Sequence, residues 1–260
     1  MQQTPPSLPP KDGSSVLSSV RSAIRLIGLF TDDTHILGVS EIARRLKVAK
    51  STASRLGATL CAEDFLTLTP DGKYRLSVRL VDVGNVAAQS HLLYKAGREA
   101  LAKIRAATGL AAHLSVIDGA ELAQLCRVTS DYIEALGSSR PRQPVLPTSA
   151  GKAILAFSSP ELVELCLGVQ RHHRYAPAHV PDSEEIRSTL QTVRKRGYAV
   201  SRNEYVVNVV GVAVPILSDS GIAVAALTAL GPPRLLPDAR ASETAAFLLS
   251  SAKAITAAVF

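Results

Sequence analysis

The stretch Val39 to Leu60, VSEIARRLKVAKSTASRLGATL, decides how the amino-terminal part of the chain folds. Its apolar and small residues fall into two sets with three- and four-residue spacing, which are Ile42, Ala43 and Leu46, and then Ala53, Leu56 and Leu60. Residues at this spacing lie on one face of a helix. The stretch therefore predicts two short helices that pack together across a tight turn.

The second of these helices also carries a polar face. Its cations and hydroxyls are Lys50, Ser51, Thr52, Ser54 and Arg55. Cations and hydroxyls bind phosphates, and arginine reads guanine edges in the major groove. We therefore expect a DNA recognition helix in which these five residues contact DNA, together with Arg44 from the helix before it.

The charge distribution agrees with this interpretation. Five cations and no acid stand between residues 42 and 62, and they are Arg44, Arg45, Lys47, Lys50 and Arg55. The first 80 residues hold 11 Lys and Arg against seven Asp and Glu, whereas the net charge of the whole chain is +7. A basic face gains affinity for phosphates by counterion release. Charge alone would equally fit a solvated basic helix, and the helix-turn-helix pattern is what favours DNA.

A predicted hairpin follows the second helix. Residues Phe65 to Leu76, FLTLTPDGKYRL, alternate apolar and polar side chains around the turn sequence Pro70-Asp71-Gly72. Such alternation indicates strands. A hairpin elsewhere would carry no special meaning, but one directly after a recognition helix is typical of a wing. We expect Lys73 and Arg75 to contact the minor groove or the adjacent DNA backbone.

With these motifs the chain resembles the IclR family of bacterial transcriptional regulators from about Ser15 to Phe260. The other matching segments are SVRSAIRLIGLF (Ser19 to Phe30), HLSVIDGAELAQLCRV (His113 to Val128), PVLPTSAGKAILAF (Pro144 to Phe157), RKRGYAVSRNEY (Arg194 to Tyr205) and GVAVPILSDSGIAVAALTALGP (Gly211 to Pro232). The resemblance implies an α+β protein with a winged helix-turn-helix domain, a linker helix and a GAF- or PAS-like effector-binding domain. It also implies a homodimer or a dimer of dimers.

We expect the domain organisation to follow this order. Residues 1–14 are a leader rich in Pro, Gly and Ser, 15–77 the DNA-binding domain, 78–95 the linker helix, and 96–260 the effector-binding and oligomerisation domain. The leader has no apolar stretch, so it is predicted to be disordered rather than a signal peptide. No run of 18 apolar residues occurs, which indicates a cytoplasmic protein without a membrane span.

In the first domain the pattern predicts a helix over Ser18 to Phe30, and Ser40 as the N-cap of the next helix. The residues expected to face inward from the first helix are Val20, Ile24, Ile27 and Leu29 or Phe30. Helical spacing then continues from Val78 to Ala107 and is weakened by Gly84 and Gly97, so we expect a linker helix that breaks into the first helix of the second domain.

In the second domain, strands and helices are predicted to form an antiparallel sheet with helices packed on it. The predicted strands are Leu110 to Ile117, Leu122 to Val128, Tyr198 to Glu204, Val209 to Leu217 and Ile222 to Leu230. The predicted helices are Ser149 to Phe157, Pro160 to Leu167, Asp182 to Arg196 and Pro237 to Val259.

Motifs for catalysis are weak, so no catalytic residue, metal or cofactor is predicted. Residues Thr148 to Lys152 are similar to a phosphate loop, but Leu146 stands where its first Gly belongs and Ala153 where its Ser or Thr belongs. The three cysteines have no paired spacing and are expected to be reduced thiols. The group His172, His173 and His179 suggests a metal site, yet the pair is flanked by arginines and lacks a nearby acid, which favours a surface loop.

A pocket for a small organic ligand is the better interpretation. Thr148, Ser149 and Ala150 stand where a helix begins, and free N–H groups and hydroxyls there can bind an anion, although an ordinary N-cap would look the same. The effector-binding positions implied by the resemblance are Thr148, Ser149, Ala150, Asn203, Glu204, Gly211, Thr228 and Leu230, with Ser201, Arg202 and Ala213 beside them.

The chain departs from the family pattern at several positions. Lys47 replaces the usual turn glycine, at a cost of about 1 kcal/mol if its backbone is left-handed. Leu146-Pro147 replaces His-Ala, Gly211 replaces a common Cys, and the acidic cluster is reduced to Glu204. These changes predict a less acidic pocket for a bulkier or more anionic ligand, and we expect an aromatic or aliphatic carboxylate.

The function predicted from these observations is a ligand-responsive DNA-binding regulator of a catabolic operon, a repressor rather than an activator. One alternative is a DNA-binding regulator whose C-terminal domain only forms oligomers and binds no effector. An enzyme built on that domain is a further alternative, against which the missing catalytic motifs argue.

Overall fold

The computed structural model describes residues 16–31, 34–136, 142–169 and 181–260. The chain divides into two compact units, one up to Val86 and the other from Ala87 onward. The predicted leader and the predicted surface loop with His172, His173 and His179 lie outside the described residues.

The first unit consists of three helices and a hairpin. The elements are α1 (Ser18–Ile27), α2 (Val39–Leu46), α3 (Lys50–Ala62), β1 (Leu66–Leu68) and β2 (Tyr74–Leu76). Ile42, Ala43 and Leu46 from α2 are buried against Ala53 and Leu60 from α3. The predicted helix-turn-helix is therefore present, with both apolar faces turned into one core.

The inward face predicted for α1 is wrong in two places. Val20 and Ile24 are 50% and 64% exposed, whereas Leu26 is fully buried and Ile27 and Phe30 are partly buried. Helix α1 has apolar residues on two sides, and only one side packs on the other elements of this unit. The helix also ends at Ile27, three residues before the predicted Phe30.

The boundaries of α2 explain the tight turn. The N-cap is Gly38 rather than the predicted Ser40, and no side chain caps the helix. At the other end Lys47 adopts the left-handed conformation, with φ 57° and ψ 46°. This conformation directs the amide of Val48 to the carbonyl of Ala43 at 3.0 Å, which satisfies a helix-terminal carbonyl and turns the chain toward α3.

The predicted hairpin is present as well. Leu66 pairs with Leu76 in the antiparallel register, and the turn between the strands contains Gly72 at φ 74°. Leu37 exchanges two backbone hydrogen bonds of 2.9 Å with Tyr74. This isolated β-bridge ties the hairpin to the segment before α2.

Helix α4 (Arg79–Ser90) is followed by α5 (Leu92–Thr108), so the predicted break into two helices occurs at His91. Gly97 is accommodated inside α5 because the helix approaches the sheet closely there. A Cβ atom at Gly97 would lie 2.4 Å from Cδ2 of Leu114 and 3.1 Å from Sγ of Cys126. The glycine is therefore a packing requirement and not a helix end.

The second unit contains a six-stranded antiparallel sheet in the order β5-β4-β3-β8-β7-β6. The strands are β3 (Ala111–Asp118), β4 (Glu121–Val128), β5 (Arg142–Pro144), β6 (Ala199–Arg202), β7 (Val210–Leu217) and β8 (Ala223–Gly231). The helices are α6 (Asp131–Ala135), α7 (Ser149–Leu155), α8 (Pro160–Val169), α9 (Ser183–Arg196) and α10 (Asp238–Val259). The predicted α+β class is confirmed, and only the short α6 and β5 were not expected.

Alternation along the strands places one core on each face of the sheet. Leu114, Val212 and Leu227 pack on one face with α5 and α10. Ala213 and Ala226 pack on the other with α7, α8 and α9. This second face also carries buried polar residues, which form the site described below.

Within the part of the chain that the structure describes, no helix is long and apolar enough to cross a bilayer.

Candidate nucleic-acid interface and ligand cavity

The amino-terminal half of α3 presents a polar surface. The side chains predicted to contact DNA from this helix, Lys50, Ser51, Thr52, Ser54 and Arg55, are all exposed. Ala53, Gly57 and Leu60 occupy the buried side of the same helix. Among the described residues Lys50 and Arg55 have no ion-pair partner, so both cations are available for an incoming phosphate or base.

Arg44 is also exposed, but it is paired. Its guanidinium lies 2.6 Å from Glu41, and the Nε of Arg45 lies 2.6 Å from the same carboxylate. Hydrogen bonds from both arginines lower the pKa of Glu41 to about 2. Glu41 stands one residue before the acid-free stretch of the sequence. In the fold its carboxylate nevertheless pairs with two of the arginines of that stretch.

The two wing cations are held by neighbouring side chains. The ammonium of Lys73 lies 2.8 Å from Asp71, whose pKa is lowered to about 2 by hydrogen bonds from Lys73 and Thr69. The Nε of Arg75 donates to the hydroxyl of Thr67 at 3.0 Å. Both cations remain exposed on the hairpin, at the position expected for a wing.

The second unit contains a half-open cavity of about 60 Å³ between the polar part of the sheet and the start of α7. Seven of the eight predicted effector positions line it, namely Thr148, Ser149, Ala150, Glu204, Gly211, Thr228 and Leu230. Asn203 is not among the lining residues. Its side-chain oxygen accepts a hydrogen bond from the amide of Asn208 at 2.7 Å, so it shapes the loop instead.

The two hydroxyls at the start of α7 have different roles. The Thr148 hydroxyl donates to the carbonyl of Val145 at 2.8 Å and accepts from the amide of Gly151 at 3.1 Å. It is an N-cap, as the plainer of the two interpretations expected. The Ser149 hydroxyl has no hydrogen-bond partner among the described residues, although Ser149 is only 3% exposed.

Gly211 makes space for the hydroxyls of the cavity. A Cβ atom at this position would lie 2.7 Å from Oγ of Ser149 and 3.0 Å from Oγ of Ser201. A larger residue on this strand would displace both side chains. Gly211, which departs from the family pattern, therefore leaves the space that the side chains of Ser149 and Ser201 occupy.

Lys152, which suggested a phosphate loop, is instead part of an ion pair in which the lysine is buried and its partner partly exposed. Its ammonium lies 2.6 Å and 2.5 Å from the two carboxylate oxygens of Glu204 and 3.3 Å from the carbonyl of Val200. Burial lowers the pKa of Lys152, and the charge of Glu204 opposes that change. The pairing neutralises the carboxylate of Glu204, so the polar groups that line the cavity carry no net charge.

His113 is one of the lining residues that were not predicted from the sequence. It is 5% exposed, and its Nδ1 lies 3.1 Å from Nε2 of Gln124. Nε2 of the ring and Oε1 of the Gln124 amide have no hydrogen-bond partner among the described residues. Burial, with a smaller effect from Arg127, lowers the pKa of His113 to about 4, so the ring is neutral at pH 7.

A weak signal for His113 does exist in the sequence. In the segment AAHLSVID, period-two alternation places His113 and Ser115 on the same face of β3. Both residues line the cavity, together with residues of the loop after β6 such as Tyr205 and Val209. The alternation alone does not show that β3 pairs with β8, which places His113 opposite Thr228.

Comparison with known proteins gives a family match in each of the two units. Residues 19–70 match a family model described as the IclR helix-turn-helix domain, and residues 86–257 match one described as the C-terminal part of bacterial transcriptional regulator IclR. The chain is similar to the HTH-type transcriptional regulator XynR of Escherichia coli, with 28% identity over 82% of this chain and 85% of that protein.

Solved structures show the same fold. An IclR transcriptional regulator from Alicyclobacillus acidocaldarius is 26% identical with a TM-score of 0.82, covering 94% of this chain and 100% of that one. An IclR homologue from Microbacterium hydrocarbonoxydans, crystallised with 4-hydroxybenzoate, is 27% identical with a TM-score of 0.81, covering 93% and 99%.

Proposed function

This chain belongs to the IclR family of bacterial transcriptional regulators, and we propose that it is a repressor, not an enzyme, that a small organic acid regulates. The observation that carries the ligand-sensing part is the cavity of the second unit, lined by buried polar groups that lack partners. Pockets of this kind, mostly apolar with a few convergent polar groups, are typical of ligand sites.

For the DNA-binding part, we propose that Arg44, Lys50, Ser51, Thr52, Ser54, Arg55, Lys73 and Arg75 form the interface. Lys50 and Arg55 on α3 support this proposal most strongly, because they are exposed and unpaired among the described residues. Arg44 and Lys73 would exchange an exposed carboxylate partner for a phosphate, which costs little at a solvated surface.

We propose further that the protein acts as a homodimer or a dimer of dimers. Val16 and Leu17 just before α1, and Val20 and Ile24 on it, are exposed, between 48% and 69% each. Exposed apolar residues grouped in this way are typical of a protein interface. A second copy of the chain that covered these residues would explain why Val20 and Ile24 are apolar although they lie outside the core. Sedimentation of the full chain should then show at least a dimer.

The effector proposal rests on the chemistry of the cavity. Hydroxyls of Ser149, Ser201 and Thr228 can donate to a carboxylate, while the charge of Glu204 is neutralised by Lys152. The acid would be a substrate or intermediate of the catabolic operon that the protein controls. It changes the affinity for operator DNA only by binding one protein conformation better than another.

Two experiments test the proposal. The first compares duplex binding by the full chain and by Arg55→Ala, with Arg187→Ala on α9 as the control. We expect Arg55→Ala to lose roughly 1–3 kcal/mol on its preferred duplex and the control to lose nothing. Equal loss on random DNA would show a phosphate contact rather than base recognition, and no loss at all would contradict the assignment of Arg55.

The second experiment is a thermal shift assay with 2-hydroxybutyrate, 2-oxobutyrate, butyrate, 4-hydroxybenzoate and benzoate at millimolar concentrations. A ligand that binds only the folded protein raises its melting temperature. A shift with at least one acid is expected. No shift and no calorimetric binding with any of them would contradict acid sensing and favour a second unit that serves only for assembly.

A further inference from the structure

Glu41 brings both arginines of α2 onto one carboxylate. Nε and Nη2 of Arg44 donate to its two oxygens at 2.9 Å and 2.6 Å, and Nε of Arg45 donates to Oε1 at 2.6 Å. The Arg44 side chain is 71% exposed and that of Glu41 is 33% exposed. The three side chains therefore present one net positive charge, in place of two, at a surface proposed to meet DNA.

The wing repeats this arrangement with a single cation. The ammonium of Lys73 lies 2.8 Å from Oδ2 of Asp71, and the hydroxyl of Thr69 donates to Oδ1 of the same carboxylate at 2.5 Å. Both members of the pair are more than half exposed. The charge of Lys73 is thus neutralised by a carboxylate that the hairpin holds beside it.

The recognition helix between these two elements is different. Its 13 residues include no Asp or Glu. Lys50 and Arg55 are exposed, and neither has an ion-pair partner in the part of the chain that the structure describes. Carboxylates therefore stand beside the cations of α2 and of the wing, but not beside those that are expected to reach the bases.

Such pairing weakens the attraction of a cation to the DNA backbone. Sequence-independent binding arises because protein cations replace the counterions of the phosphates, and each phosphate contact steepens the dependence of log affinity on log salt by about 0.9. A cation with a carboxylate beside it brings less net charge to the phosphates, and the phosphates repel the carboxylate. Contacts to the backbone position the protein but do not read the sequence.

We infer that Glu41 and Asp71 limit the affinity of the first unit for DNA of any sequence, so that binding depends more on the unpaired Lys50 and Arg55. The inference rests on the proposed DNA interface. The simpler alternative is that Glu41 only stabilises α2, as an acid in the first turn with arginines three and four residues later does. Loss of the carboxylate would then leave DNA binding unchanged or weaken it, whereas the inference requires tighter binding.

Titration of a random-sequence duplex with the full chain and with Glu41→Gln tests the inference. At about 50 mM salt the variant should bind at least threefold more tightly than the wild type, and between about 50 and 200 mM salt its log affinity should fall more steeply, by about one unit of slope. Asp71→Asn should also bind more tightly, because it frees Lys73.

Glu63→Gln is the matched control. It removes the same charge from an exposed acid at the end of α3 that has no ion-pair partner among the described residues, and it should change the affinity less than twofold. The gain should also depend on the arginines. In a chain with Arg44→Gln and Arg45→Gln, the further change Glu41→Gln should alter the affinity less than twofold, because no paired cation is left to release.

Two results overturn the inference and leave the DNA interface standing. One is an affinity for random duplex that is no higher in Glu41→Gln than in Glu63→Gln, and the other is a gain that persists without the two arginines. Circular dichroism checks that each variant is folded. If Glu41→Gln is not, Asp71→Asn decides by the same comparison with Glu63→Gln. Failure of the wild-type protein to bind any duplex at low salt overturns both the inference and the proposed interface.

Discussion

The ring of Tyr74 in the wing lies directly over Gly57 of the recognition helix. A Cβ atom at Gly57 would be 2.4 Å from Cζ and 2.8 Å from the phenolic oxygen of Tyr74. The glycine thus lets strand β2 dock on α3 and sets the position of the hairpin relative to the exposed cations.

Gly57→Ala should therefore destabilise the first unit. The methyl group has no space beside the ring, and overpacking of this kind costs about 1–3 kcal/mol. Urea unfolding followed by circular dichroism measures the effect. Gly84→Ala is the control, because nothing lies within 4 Å of its Cβ position in α4 and alanine there should stabilise by about 0.5–1 kcal/mol. Equal stability of the two variants would contradict the docking described here.

Lys47→Gly should have the opposite effect on the same unit. Lys47 is held at φ 57°, where a residue with a side chain pays about 1 kcal/mol that glycine does not. The glycine variant should be more stable by that amount in urea unfolding. Lys47→Ala removes the charge but keeps the strained backbone, so it should not gain. Equal gains in both variants would show that charge, rather than backbone conformation, is responsible.

The ion pair of Lys152 and Glu204 leads to a third prediction. Glu204→Gln leaves a buried ammonium without its counter-charge, which should cost about 3 kcal/mol, whereas Glu204→Gln combined with Lys152→Met should recover most of the loss. Glu164→Gln breaks the exposed pair with Arg187 and should cost less than about 1 kcal/mol. A loss for Glu204→Gln no larger than for Glu164→Gln would show that the pair is not effectively buried.

The low pKa of His113 predicts that the protein becomes less stable as the pH is lowered. In the unfolded chain the imidazole takes up a proton near its ordinary value of 6.5, but in the folded chain only near 4. Stability is therefore complete above pH 6.5 and declines as the pH falls toward 4. Between pH 7 and pH 5 the wild-type protein should lose about 2 kcal/mol more than His113→Phe, as measured by urea unfolding at both pH values. Parallel losses would contradict the buried neutral ring.

The sequence predicted the elements whose signal is local. The spacing of Ile42, Leu46 and Ala53 determines how α2 meets α3, and the turn at Gly72 determines the hairpin, because both depend on residues close together in the chain. The exposed side of α1 could not be predicted, since Val20 and Ile24 are as apolar as a core residue.

Only the parts of the cavity that local motifs or the family resemblance indicate were predicted. The motif at Thr148 to Lys152 located its rim, and the resemblance located Gly211 and Thr228. The pairing of His113 with Thr228, and of Lys152 with Glu204, joins residues more than 50 positions apart. Such contacts follow from the order of strands in the sheet, which the pattern of each strand alone does not encode.

The most direct test of the account is the affinity of the full chain for an operator duplex with and without its acid. The duplex would be selected from genomic fragments by the purified protein, and the acid would be the tightest binder of the thermal shift panel. We predict at least a fivefold change in affinity, with an equal change in acid affinity when DNA is present. An affinity that stays the same at saturating acid, or one that does not exceed that for scrambled DNA, would contradict the account.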